Sequence, residues 1–242
     1  MCGRFTLIRL SDFTDLFPWI LPPELRTPPR YNIAPSQPAA VVPNQPQPRV
    51  EFYRWGLIPS WAADPAVGNR MINARAESLA RKPSFRTALR RRRCLVPADG
   101  FFEWRREPGG AKTPIYVRLR SGRPFAFAGL WDEWHDPDGA PLRTFTIITT
   151  DPNDLLRPIH NRMPVILREE DYRAWLAPGE REPPALLELL RPYPAEAMCA
   201  QAVSRAVNNP AHDAPDCIEP AAPATPPRPR RSSTEPGLFG DG

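Results

Sequence analysis

The sequence predicts an α+β fold with curved, mainly antiparallel sheets and short peripheral helices. Three observations predict it. Proline and glycine number 35 and 13 in 242 residues, roughly a fifth of the chain against about an eighth in average usage. Proline breaks helix interiors and central strands, so elements must be short and turns many. Hydrophobic residues make up 41% and aromatics 10%, with seven tryptophans, enough apolar material for a core. The length suits one domain or at most two small ones. Strand-like and helix-like segments are also interspersed without regular βαβ units. A mostly disordered chain, a collagen, a long coiled coil and a helical bundle are all disfavoured.

Strands are expected at 4–8, 49–55 (RVEFYRW), 94–96, 101–105, 115–119, 125–130, 144–149 and 163–167. Each is rich in β-branched or aromatic residues and bounded by proline or glycine. Helices fit 11–17, 84–92, 169–176 and 184–191, with Ser11 and Ser84 as N-caps of the first two. From about Glu219 the chain turns to Pro, Ala, Arg and Ser, which predicts a domain over 1–220 and a disordered tail over 221–242. Leu238–Phe239 is the tail's apolar pair and a candidate linear motif for a replication-associated partner such as a sliding clamp.

Basic residues outnumber acidic ones by 32 to 27, a net charge of +5. Lysine occurs only at Lys82 and Lys112; the rest is arginine. Arginine suits forked contacts to phosphate and stacking on bases, but compositional bias explains the excess equally well. The charge therefore points only to an anionic partner. The N-terminus mixes charges into its first ten residues and is not read as a signal peptide, and no run approaches the ~18 apolar residues of a membrane span. The cysteines are Cys2, Cys94, Cys199 and Cys217, with no C-x-x-C pair, so neither a zinc site nor any cofactor is expected. Free thiols fit a reducing cytoplasm. Walker A, G-x-G-x-x-G, G-x-S-x-G and H-E-x-x-H sequences are all absent.

Cys2 is the first candidate for chemistry. If Met1 is removed, Cys2 carries an α-amine and a thiol, with ordinary pKa values of about 8 and about 8.5. The amine can condense with an aldehyde to an imine, and the thiolate can close onto the imine carbon. The product is a five-membered thiazolidine. Gly3 allows close backbone approach to a ligand, and Arg4 adds a cation.

MCGRF, YNIAPSQ (31–37), RWGLIPSW (54–61), MINARAES (71–78), RRCLVPADGFFEW (92–104), TT…IHNRMPVIL (149–167) and VSRAVNN (203–209) follow in this order. In this the chain resembles the SRAP family (SOS-response-associated peptidase), abasic-site sensors that crosslink to single-stranded DNA in the DNA damage response. The resemblance covers about residues 1–220. It implies a thiazolidine between Cys2 and the ring-opened abasic deoxyribose, which shields the lesion. An imine stage would also permit some lyase cleavage, and removal of Met1 would be autocatalytic. It implies that Asn73 holds the opened sugar or the terminal amine through its amide. It implies that Glu103 relays protons with its pKa raised among Phe101, Phe102 and Trp104, and that His160 helps open the sugar ring. Single-stranded DNA containing abasic sites is the implied partner, in the cytoplasm or on the nucleoid.

Taken alone, Glu103 reads as a solvent-facing carboxylate alternating with aromatics, His160 as a loop histidine and Asn73 as a turn former. DNA contacts are expected from Arg4, Arg75 and Arg162 on phosphates, from Trp55, Trp61 and Pro35 against bases, and from Thr149 and Thr150 through a hydroxyl. Core packing is the competing reading of the tryptophans. Arg93 is a further phosphate candidate at the end of the run Arg90–Arg93. One departure from the family pattern is Pro152 in TTDPNDLL, where alanine is usual. A second reading makes the protein a thiol peptidase, or autopeptidase, using Cys2 with His160 as base and Asn73 as orienting amide.

Overall fold

The proline density shows in the helices, the longest of which among the described residues has nine residues, whereas two central strands run to 10 and 11 residues, longer than expected. The computed structural model describes residues 2–24 and 27–221. Its strands are β1 (Arg4–Leu7), β2 (Arg30–Ile33), β3 (Pro38–Pro43), β4 (Glu51–Trp55), β5 (Asn73–Arg75), β6 (Arg93–Ala98), β7 (Gly100–Arg106), β8 (Lys112–Leu119), β9 (Phe125–His135), β10 (Pro141–Thr150), β11 (Met163–Pro164) and β12 (Met198–Ala202). Its helices are α1 (Leu10–Leu16), α2 (Pro83–Arg91), α3 (Tyr172–Trp175) and α4 (Pro183–Leu187). With six short 3-10 turns counted alongside these helices, helix accounts for 22% and strand for 35%, the α+β class expected. No helix among the described residues is long and apolar enough to cross a membrane.

The larger sheet runs β11-β10-β4-β3-β6-β9, and β9 also pairs with β10. That last pairing closes β4, β3, β6, β9 and β10 into a small barrel, which leaves those strands no open edge. The β4–β10 and β5–β10 pairs are parallel and the rest antiparallel. The second sheet, β12-β8-β7-β1-β2, is antiparallel throughout. Aromatic rings join the two sheets. Phe5 of β1 meets Trp55 of β4 edge-on at 5.2 Å between centroids, and Phe101 of β7 meets Phe127 of β9 at 5.9 Å. Edge-to-face pairs of this kind add about 0.5–1.5 kcal/mol each beyond the area they bury.

Four strands escape the sequence pattern. β3 is bracketed by Pro38 and Pro43, tolerated because they stand at its ends. β2, β5 and β12 are short or low in β-branched residues and exist because neighbours offer backbone partners. The expected strand 163–167 reduces to β11, with Ile166 making an isolated bridge to Phe127. Ser11 and Ser84 are not N-caps. Arg9 and Lys82 occupy those positions without side-chain caps. Pro83 opens α2, where its missing N–H costs nothing.

Arg93 is also not a phosphate ligand. It is wholly buried, and its guanidinium donates to the carbonyls of Trp175, Leu89, Arg90, Ala177 and Gly179. It collects the orphan carbonyls at the end of α2 and in the segment after α3. Arg90 and Arg91 pair with Glu180 and Glu182. At the end of the described residues Ala221 still donates to Ala202; the expected tail beyond it, including Leu238–Phe239, lies outside them.

Candidate active site

Cys2 lies two positions before the start of β1, with Gly3 between. In the β1–β7 pairing, Phe5 faces Phe101 and Arg4 faces Phe102. The pleat sends alternate side chains to opposite faces. Phe5 and Phe101 join the main core, while Phe102 and Trp104 join a smaller cluster with Tyr116, Val203, Val207 and Cys217. Glu103 therefore falls on the main-core side and is only 2% exposed. It is not the solvent-facing carboxylate that alternation alone implies, because β7 is covered on both faces. Burial pushes its carboxyl up to about 7, against the pull of the amino-terminal positive charge and the Trp104 N–H.

Cys2 is fully buried, and its thiol donates to the Arg4 carbonyl at 3.7 Å. Burial first, then the charge of Glu103, pushes the thiol well above its ordinary range. Asn73 reaches across from β5, where its Nδ2 donates to the Cys2 carbonyl at 2.8 Å. Its Oδ1 is shielded from solvent without a hydrogen-bond partner. β5 lies parallel beside β10, with Asn73 opposite Ile147 and Arg75 opposite Thr149. The second sheet thus supplies Cys2 and Glu103, the barrel sheet supplies Asn73, and one hydrogen bond joins them.

Trp55 belongs to the core. It is wholly buried, lies parallel to Phe145 at 6.2 Å and donates through Nε1 to the Ile72 carbonyl at 2.8 Å. It fixes the residue before Asn73 and has no face to offer a base, so packing wins over the expected DNA contact. Thr149 is likewise fully buried, and its Oγ1 has no hydrogen-bond partner. Its hydroxyl is not on the surface, contrary to expectation, and Thr150 is buried as well. The loop after them is set by Asn153, whose side chain donates to the Tyr193 carbonyl at 2.7 Å and accepts from the Leu156 N–H at 3.0 Å. That leaves Pro152 in a half-buried position before a well-anchored turn.

His160 lies in the segment leading to β11. Its Nδ1 is 3.0 Å from the Arg162 N–H and 3.2 Å from the Arg162 carbonyl. Burial, the amino-terminal charge and Arg106 together lower its pKa despite the Arg162 carbonyl, which keeps the imidazole neutral at neutral pH. Arg162 itself is almost buried. Its terminal nitrogens donate to both Glu77 oxygens at 2.8 and 3.0 Å, to Asp151 at 2.9 Å and to the Thr149 carbonyl at 2.7 Å. All four terminal hydrogens are committed, so in this conformation Arg162 does not present the open phosphate ligand expected of it.

Arg4 points to the opposite face of its sheet from Glu103. It donates to Asn32 Oδ1 at 3.0 Å and the Val207 carbonyl at 2.8 Å and lies 5.9 Å over the Trp104 ring. The remaining expected DNA contacts lie at the surface. Arg75 is exposed, Trp61 is 65% exposed, and Pro35 is half-buried beside Ser36, a non-glycine residue at φ 69°. The loop that carries Trp61 is pinched at its base. Gly56, at φ +125°, packs so closely on Gly68 that a Cβ there would lie 2.7 Å from the Gly68 oxygen.

Sequence reasoning missed three contributors: Glu77 and Asp151, which hold Arg162, and Asn32, which accepts from Arg4 and donates to three carbonyls of 207–212. Glu77 and Asn32 stand inside matched motifs, and that was the available signal. Among the described residues one cluster brings metal-ligand atoms together. His212, Asp216 and Cys217 lie within 4.8 Å of one another, and there the His212 ring and Asp216 already bond at 2.6 Å.

The family described as SOS response associated peptidase (SRAP) matches residues 1–210. The abasic site processing protein YoqW of Bacillus subtilis is 48% identical over 224 residues, covering 90% of this chain and 99% of that one. The abasic site processing protein HMCES of Gallus gallus is 33% identical, covering 77% of this chain and 62% of its own. A crystal structure of a protein from Bacteroides thetaiotaomicron superposes with a TM-score of 0.81 at 28% identity, covering 91% of this chain and all of that one.

Proposed function

This chain belongs to the SRAP family, and on that premise we propose that it processes abasic sites by crosslinking covalently to single-stranded DNA through Cys2. One observation carries the reading: Asn73 of the barrel sheet grips the Cys2 carbonyl in the junction where Glu103 of the other sheet is buried. A nucleophile at the second residue is held as firmly as a core side chain, beside a carboxyl that gains and loses its proton near neutrality.

The chemistry follows from those groups. Hydrolysis of the Met1–Cys2 peptide bond frees the Cys2 amine. The amine adds to the aldehyde carbon of the ring-opened sugar, and loss of water gives the imine. The Cys2 sulfur then bonds to the imine carbon as its proton is transferred to nitrogen, closing the thiazolidine. Amine, thiol and aldehyde give thiazolidine and one water. Glu103, with a pKa near 7, suits both giving and taking those protons. Neutral His160 suits hydrogen bonding to the sugar while the ring opens. Exposed Arg75 and Trp61, with Pro35, are the surface groups suited to phosphate and base contacts.

The thiol-peptidase reading fits these groups less well. A peptidase needs its thiolate, and burial together with the Glu103 charge drives this thiol the other way. It would also gain nothing from a free α-amine. The test is incubation with single-stranded DNA carrying one abasic site, followed by a denaturing gel. Wild type should give a shifted band, and Cys2→Ala or an alanine inserted between Met1 and Cys2 should give none. A band of equal strength with Cys2→Ala would sink the reading.

A further inference from the structure

We propose that Glu77 is a positioning residue for His160, acting through Arg162. This rests on the reading of His160 given above and extends it to a residue outside the reacting atoms.

Glu77 sits in the single turn Ala76–Ser78 that follows β5. Its two oxygens take the two ends of the Arg162 fork at 2.8 and 3.0 Å. A forked arginine–carboxylate pair fixes orientation as well as distance. The other two terminal hydrogens of Arg162 go to Asp151 and to the Thr149 carbonyl at the end of β10. One side chain thereby ties the turn after β5, the end of β10 and the loop after it to the main chain at 162. That main chain holds the imidazole. The Arg162 N–H stands 3.0 Å and its carbonyl 3.2 Å from His160 Nδ1. The N–H serves the neutral ring when Nδ1 accepts. The carbonyl serves the protonated ring when Nδ1 donates. Both protonation states of His160 thus meet the same residue, and the position of that residue is set by Glu77.

The pairing is well placed to be strong. Arg162's side chain is 11% exposed and Glu77's is 50%, so one partner is largely desolvated. Partial burial is the largest single influence on Glu77 and works against its ionisation, but the Arg162 hydrogen bond, its own main-chain N–H and the charges of Arg162 and Arg75 together hold the carboxyl below its ordinary value. Glu77 is therefore ionised at neutral pH. The other charges acting on His160 are Arg106 of β7 and the amino terminus, both of which disfavour its protonation. Asp151, 80% exposed, is the weaker second carboxylate on Arg162.

The test compares Glu77→Ala, Glu77→Gln and Glu77→Asp with wild type, with circular dichroism to confirm folding. Crosslinking is followed against pH at saturating abasic single-stranded DNA, and the His160 ring is titrated by NMR without DNA. Glu77→Ala should slow crosslinking about tenfold, move the midpoint of the pH profile and move the His160 titration. Glu77→Asp should restore much of the rate, and Glu77→Gln should fall between. Unchanged midpoints in both measurements would overturn the proposal. So would faster crosslinking with a steeper salt dependence in Glu77→Ala, because Glu77 would then only mask Arg162 from phosphate. If wild type gave no crosslink, the function proposed above would fail, while the NMR titration would still decide whether Glu77 governs His160.

Discussion

The junction of α2 with β6 and the junction of β1 with β5 and β10 both bury polar side chains, and they treat them differently. At the first, every guanidinium N–H of Arg93 meets a carbonyl and its main-chain N–H meets Asn44. At the second, Asn73 Oδ1 and Thr149 Oγ1 are buried without partners, and Glu103 is driven towards its neutral form. A buried polar group left unpaired costs about 1–3 kcal/mol. The first junction avoids that cost and serves stability. The second carries it where the family's chemistry is expected, as is common for sites whose partners arrive with the substrate. The lesson is that burial alone does not tell the two junctions apart; the unpaired oxygens of Asn73 and Thr149, against the fully paired guanidinium of Arg93, do.

The sharpest way to break this contrast is Arg93→Met. Five carbonyls would lose a charged donor at once, so stability should fall by about 3 kcal/mol or more, measured by urea unfolding. A loss below about 1 kcal/mol would remove Arg93 from its structural role.

Glu103→Gln tests the other junction. A carboxyl whose pKa rises on folding favours the folded state below the unfolded value, and that advantage is lost as pH climbs through the folded value. For Glu103 the window runs from 4.5 to about 7. Glu103→Gln should match wild type in stability at pH 4.5 and exceed it at pH 8 by about 1–3 kcal/mol, while crosslinking slows. Equal melting curves at both pH values would mean that the carboxyl is not desolvated.

The smallest effect is expected outside both junctions. Arg75 is exposed, so Arg75→Ala should change stability by no more than about 0.5 kcal/mol. It should weaken single-stranded DNA binding and lower the slope of log affinity against log salt by about 0.7. An unchanged slope would exclude a phosphate contact.

Local pattern revealed part of this. The aromatic and β-branched runs located β1, β4 and β6 to β10, and the ordered motifs singled out Cys2, Asn73, Glu103 and His160 as candidates. Strands such as β3 and β12 stayed hidden because alanine and proline carry no local strand signal and pair only when a neighbouring strand is present. Trp55 and Trp61 stand six positions apart in one motif. One is wholly buried and the other 65% exposed, because Trp55 ends β4 within the core while Trp61 lies in the loop beyond it.

By itself the sequence determined the fold class, the family and a second-position cysteine, whose amine and thiol would suit capture of an aldehyde once Met1 is removed as proposed above. Those properties lie in residue type and order. Only the tertiary structure decided which arginines are committed: Arg93 to carbonyls, Arg162 to Glu77, Asp151 and Thr149, and Arg4 to Asn32 and Val207. It alone also buried Glu103. Such outcomes depend on groups far apart in the chain closing over a residue from both sides, and no local pattern encodes that.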